Sequence, residues 1–235
     1  MYENQETVSY QDDAAVKAGV AAYMTKVFSW MFMGLMLTAA TAILVTTSET
    51  LFELVYESGL VFAFIIAELV LVIVLSFLIR KMSPTVATVM FCVYSIVSGV
   101  TFSAIFIIYE LSSITSIFFV TAGIFGAMAL IGHTTKKDLS GIGYLCFIGL
   151  IGIIIVSIVN IFLASSGLDF IISAIAILVF VGFTAYDTQK IKEFYYSNSG
   201  NPTMLGRMAI VGALALYLDF INLFLRLLRM FGRRK

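Results

Sequence analysis

MAIVGALALYLDFINLFLRLL, residues 208–228, is an apolar run of membrane-crossing length with an aspartate, Asp219, near its middle. About 20 predominantly apolar residues suffice to span a bilayer as a helix, so the run reads as a transmembrane segment. A carboxylate at the bilayer centre costs about 2.5–3.5 kcal/mol on insertion scales, and such residues face a bundle interior or a wet cavity with a partner. The preceding largely apolar run repeats the anomaly: VGFTAYDTQK, residues 181–190, carries Asp187. Two acids on consecutive spans point to one shared intramembrane site.

The rest of the chain fits that reading. Of 235 residues, 61% are hydrophobic and 12% charged, and mean hydropathy is +1.05. A soluble domain carries about 25% charged residues, so polar surface is too scarce to coat this chain in water. Apolar runs at 27–46, 60–79, 85–108, 113–131, 141–164, 170–191 and 208–228 give seven spans. Fold class is therefore all-α: a polytopic membrane protein built as a seven-transmembrane-helix bundle. Residues 1–24 read as a polar, flexible N-terminal tail, and 25–235 as the seven-span domain. The tail is acidic where a cleavable signal peptide would be basic.

Formal charge is zero, and no basic stripe suggests nucleic acid. Arg233, Arg234 and Lys235 suit anionic headgroups. Lysines and arginines in the loops favour an N-terminus inside and a C-terminus outside. Cys92 and Cys146 fall within apolar runs and read as buried thiols, with no CxxC framework. His133 reads as a headgroup-level residue. Ala122 with Gly126, and Ala209 with Ala213, are spaced four apart and permit close helix approach.

On the last span, Asp219, Asn222, Arg226 and Arg229 fall on one stripe at 100° per residue. Such a helix wants protein or water on that side, which places it centrally. Counting rises puts Asp187 about 12 Å and Asp219 about 16 Å from the same membrane face. Arg80 ends the second span at that face, and Glu68 lies about 18 Å outward of it, near Arg229. Two charge groups fit these depths, an inner one of Arg80, Asp187 and Asp219 and an outer pair of Glu68 and Arg229; interfacial snorkelling is the other reading of Arg80 and Arg229, and a structural hydrogen bond that of Glu68. Two close carboxyls cannot easily both ionise and titrate as a unit, which suits a proton sensor. Their oxygens also suit a hard cation such as calcium, as a weak site.

AYDTQKI (185–191), LYLDFINLFLRLLR (216–229), KKDLS (136–140) and the second span's glutamate-then-arginine pattern resemble the signatures of the Bax inhibitor-1, or transmembrane BAX inhibitor motif, family. The likeness covers nearly all of the chain after the tail. It implies a seven-helix bundle with the last helix at its centre, and a pH-sensitive calcium leak sensed by a di-aspartyl pair. By motif that pair is Asp187 and Asp219, Arg80 is the arginine engaging it, and Glu68 with Arg229 form an interhelical contact. No resident cofactor is implied, calcium being cargo or weakly held. Eukaryotic members of the family are linked to suppressing cell death. One bacterial member resembles a modulator of a membrane AAA protease, so a non-transporting regulator of another membrane protein is the alternative. The expected location is a bacterial plasma (inner) membrane. An enzyme is not expected: intramembrane aspartyl proteases carry GxGD at the second aspartate, whereas Leu216, Tyr217 and Leu218 precede Asp219.

Overall fold

The computed structural model describes residues 2–78 and 81–235, with side chains from residue 14 onward. Arg80 and the side chains of the first thirteen residues lie outside that description, and with them the expected Arg80 contact and much of the expected tail. Among the described residues nine α-helices follow one another: α1 (Tyr2–Thr47), α2 (Glu49–Phe52), α3 (Leu60–Leu78), α4 (Pro84–Phe102), α5 (Ala104–Ile108), α6 (Leu111–Thr134), α7 (Ser140–Leu163), α8 (Ser166–Asn198) and α9 (Pro202–Phe231). A π-helical turn, Glu53–Glu57, joins α2 to the second span. Seven helical segments are long and apolar enough to cross a membrane: Ala14–Thr47, α3, Pro84–Ile108, α6, α7, α8 and α9.

Several helices outrun the apolar stretches that predict them, because their ends are capped by polar residues beyond the hydrocarbon. The Ser83 hydroxyl accepts the Val86 N–H and Pro84 stands at the first turn of α4, where its missing donor is harmless. Ser165 caps α8 at Leu168, and Asn201 caps α9 at Met204. Within the spans, Thr38, Thr121, Thr184 and Thr188 donate to the carbonyl one turn back, which satisfies their hydroxyls without water.

α9 is the axis of the bundle. Two-thirds (67%) of its apolar window is buried, against 6% for α3. It packs on α1, α4, α6 and α8, while among the described residues α3 packs chiefly on α4 and the π-helical turn, and α7 chiefly on α8. The core around α9 includes Phe91, Tyr94, Phe125, Phe180, Leu216, Tyr217 and Leu223. Phe62, Phe77, Phe119, Ile161, Phe162 and Leu178 point outward, as lipid-facing side chains do.

Close helix approaches fall where a side chain would collide. A Cβ on Gly99 would meet the Thr38 carbonyl on α1, and one on Gly132 would meet the Ala185 carbonyl on α8. Ala209 and Ala213 are fully buried in α9. Gly126, expected at a close contact through its spacing from Ala122, instead faces open space. Spacing alone does not say which way a helix face is turned.

Candidate functional site

α8 and α9 are antiparallel neighbours joined by a tight link at 199–201. That hairpin brings Asp187 and Asp219 together, close enough for each carboxyl to act on the other. A hydrogen bond between two such groups would need a proton on one of them, since two carboxylates have only acceptors to offer. Asp219 is 5% exposed, and its Oδ2 has no partner among the described residues. Cys146 and Gly182 lie close by on α7 and α8; the Cys146 sulfur fills the space where a Gly182 side chain would stand.

Two cavities meet at Asp187, and Asp219 lines the larger of them. The larger, about 570 Å³, runs from Asp187 and Asp219 past Phe183 and Asn222 to Arg226, with α7 isoleucines as its outer wall. The smaller, about 250 Å³, runs the other way past Lys190, Ile191 and Gly212 to Tyr23 and Phe194. Asp187 and Ala215 line both. Along α9 the two cavities extend from Met208 to Arg226, a rise of about 27 Å at 1.5 Å per residue. The hydrocarbon core is about 30 Å thick. Asp187, with Asp219 beside it, thus stands at the junction of two cavities whose combined length approaches that of the apolar slab.

The outer pairing of Glu68 with Arg229 does not form. Glu68 accepts hydrogen bonds from Ser98 and Thr101, both at 2.8 Å. Arg229 Nε instead donates to Asp169 Oδ2 at 2.6 Å. The reason is lateral placement: α3 packs on α4, so the hydroxyls of α4 meet Glu68, while the first turn of α8 delivers Asp169 to the end of α9. Matching depths fixed the level of these residues but not their neighbours. Asp169 carried a signal that went unused, an acid in the first turn after an Ser-Ser-Gly break.

Gln189 is a further residue that sequence reasoning missed. Its side-chain amide donates to the Lys137 carbonyl and accepts the Leu139 N–H, both at 2.8 Å. Lys192 donates to the His133 carbonyl at 2.6 Å. The KKDLS link is thereby tied to the segment that carries Asp187, so two motifs distant in sequence form one structural unit. An amide imitating a peptide group has no distinctive pattern in sequence, which is why it was not legible.

Among the described residues no group of three or more His, Cys, Asp or Glu side chains gathers at one point. Two carboxyls on a largely apolar cavity suit a transient cation better than a tightly held one, which takes six to eight oxygens. Cys92 and Cys146 are both free thiols.

Comparison with known proteins agrees with the motifs. The family model described as inhibitor of apoptosis-promoting Bax1 matches residues 20–235. The inner membrane protein YbhL of Escherichia coli is 49% identical over 221 residues, covering 93% of this chain and 94% of the relative. An uncharacterised protein of Borreliella burgdorferi is 42% identical over 91% of this chain and 92% of its own length. An uncharacterised membrane protein of Streptococcus pyogenes is 36% identical over 98% and 99%. On a family match running through all seven spans and relatives alike from end to end, this chain belongs to the Bax inhibitor-1 family of membrane proteins.

Proposed function

We propose that the protein is a pH-sensitive calcium leak of the bacterial plasma membrane, gated by the Asp187–Asp219 pair. The observation that carries this reading is the position of the pair at the junction of two cavities that together extend nearly across the hydrocarbon. In this reading one proton shared by the two carboxyls ties α8 to α9 at that junction. Its loss leaves two carboxylates facing each other, and like charges at hydrogen-bonding distance repel strongly in a low-dielectric setting. The seam between the helices then loosens, and the freed oxygens are the hard ligands that a passing calcium ion prefers. Protonation count thus sets both the width of the junction and its attraction for a cation.

The test is calcium flux into liposomes holding the purified protein, across about pH 6 to 8, where a coupled buried pair is free to titrate. Wild-type flux varies with pH. Asp187→Asn and Asp219→Asn flatten that variation, because an amide can hold a hydrogen bond but cannot release a proton. A pH profile unchanged in both variants would defeat the reading.

A further inference from the structure

The larger cavity has five polar side chains on its wall, and one of them is a cation. Arg226 stands at the end remote from the carboxyl pair, two turns beyond Asp219 on the same stripe of α9. Side chains on a helix lean toward its N-terminus, so the Arg226 side chain leans back along the cavity toward Asn222. The nearest acid on this side, Asp169, is held by Arg229 at 2.6 Å. Among the described residues no carboxylate forms a salt bridge to Arg226. The opposite cavity also has a cation on its wall, Lys190, but Glu193 neutralises it at 3.1 Å. The two mouths therefore differ by about one unit of positive charge.

We propose that Arg226 is a specificity-determining residue: an electrostatic barrier in this mouth that holds back divalent cations more than monovalent ones. The inference rests on the reading of the cavities as a cation path. Coulomb energy scales with the charge of the ion, so one fixed guanidinium opposes calcium twice as strongly as potassium. Placed between apolar walls it is screened less than a surface charge. Such a residue turns an otherwise permissive path into a slow leak.

The experiment compares calcium and potassium flux in liposomes holding wild type, Arg226→Gln, Arg226→Lys, Arg226→Glu or Asp169→Asn. Arg226→Gln raises the calcium-to-potassium flux ratio about tenfold. Arg226→Lys keeps the wild-type ratio, and Arg226→Glu raises it beyond the glutamine variant. Asp169→Asn lowers the ratio, because it releases Arg229 as a second unbalanced cation at the same mouth; this arm holds even if the Arg226 variants fail to fold. Flux that changes equally for both ions in Arg226→Gln, or a ratio unmoved by Asp169→Asn, overturns the inference while leaving the cation path standing. Wild-type liposomes no leakier to either ion than protein-free ones overturn the path and the inference together.

Discussion

A hydroxyl buried in a membrane bundle is costly unless every one of its contacts is used, and Tyr217 shows how the core around the pair is fixed. Its ring is fully buried beside Phe91 and Tyr94, and its hydroxyl meets Thr38 at 2.7 Å. Thr38 also donates toward the Ser95 carbonyl at 2.9 Å and its own helix at 3.0 Å. Tyr217→Phe therefore removes one bond without stranding Thr38, and a net hydrogen bond is worth about 1 kcal/mol. Thermal unfolding in detergent should fall by a few degrees at most, with the pH profile of flux intact. A large loss of stability would mean that the network behaves as one unit. Away from the spans, Asp138 accepts the Ser140 N–H at 2.8 Å. Hydrogen bonds from Ser140 hold its carboxyl below the ordinary value of 3.8. A carboxyl depressed on folding stabilises the protein above its unfolded pKa, and that contribution is lost as pH falls through its folded value. Asp138 therefore stays ionised throughout the neutral range, and a neutral-range response in flux cannot start there.

Helix contacts make a sharper pair of predictions. Gly132 on α6 lies against the Ala185 carbonyl on α8, two residues from Asp187, whereas Gly126 one and a half turns earlier faces open space. Gly132→Ala drives a methyl into backbone that cannot step aside, and overpacking costs about 1–3 kcal/mol. Gly126→Ala meets nothing, and alanine is the better helix former by about 1 kcal/mol. The two identical substitutions on one helix should shift the unfolding temperature in opposite directions. A matching fall in both would show that α6 does not sit against α8 as described. The contrast also marks what a sequence makes legible at this scale. Seven spans were readable because apolar length is a direct consequence of bilayer thickness. The Asp187–Asp219 meeting was readable because a carboxyl in hydrocarbon needs a partner and consecutive spans tend to pack together. The partners of Glu68 and Arg229 were not, since depth along a helix is written in residue count but the identity of the facing helix is not. For the same reason the spacing of Ala122 and Gly126 suggested a contact that their orientation denies.

Seven crossings put the two ends of the chain on opposite sides of the membrane, and charge decides which is which. Lys81, Lys136 and Lys137 lie in links on the side shared with the start of α1. Links on the other side, at 48–59, 109–110 and 164–165, contain neither lysine nor arginine, and the first two contain acids. Basic residues on that side come from the end of α9 and the residues after it, and several of them are engaged there. Arg229 holds Asp169, and Lys235 donates to the Phe106 carbonyl at 2.8 Å. The backbone of Arg233 and Lys235 pairs with Glu110 and Ile108, so the terminus is folded back onto the α5–α6 link. Short-loop lysine and arginine mark the cytoplasmic face, and on that rule we propose that the N-terminus and the Lys190 cavity face the cytoplasm and Arg226 faces outward. A C-terminal alkaline phosphatase fusion should then be active in Escherichia coli, and a C-terminal green fluorescent protein dark. A fluorescent C-terminal fusion would invert the molecule. Arg226 would then guard the cytoplasmic entrance, and the barrier it raises would oppose efflux from the cell interior before entry from outside.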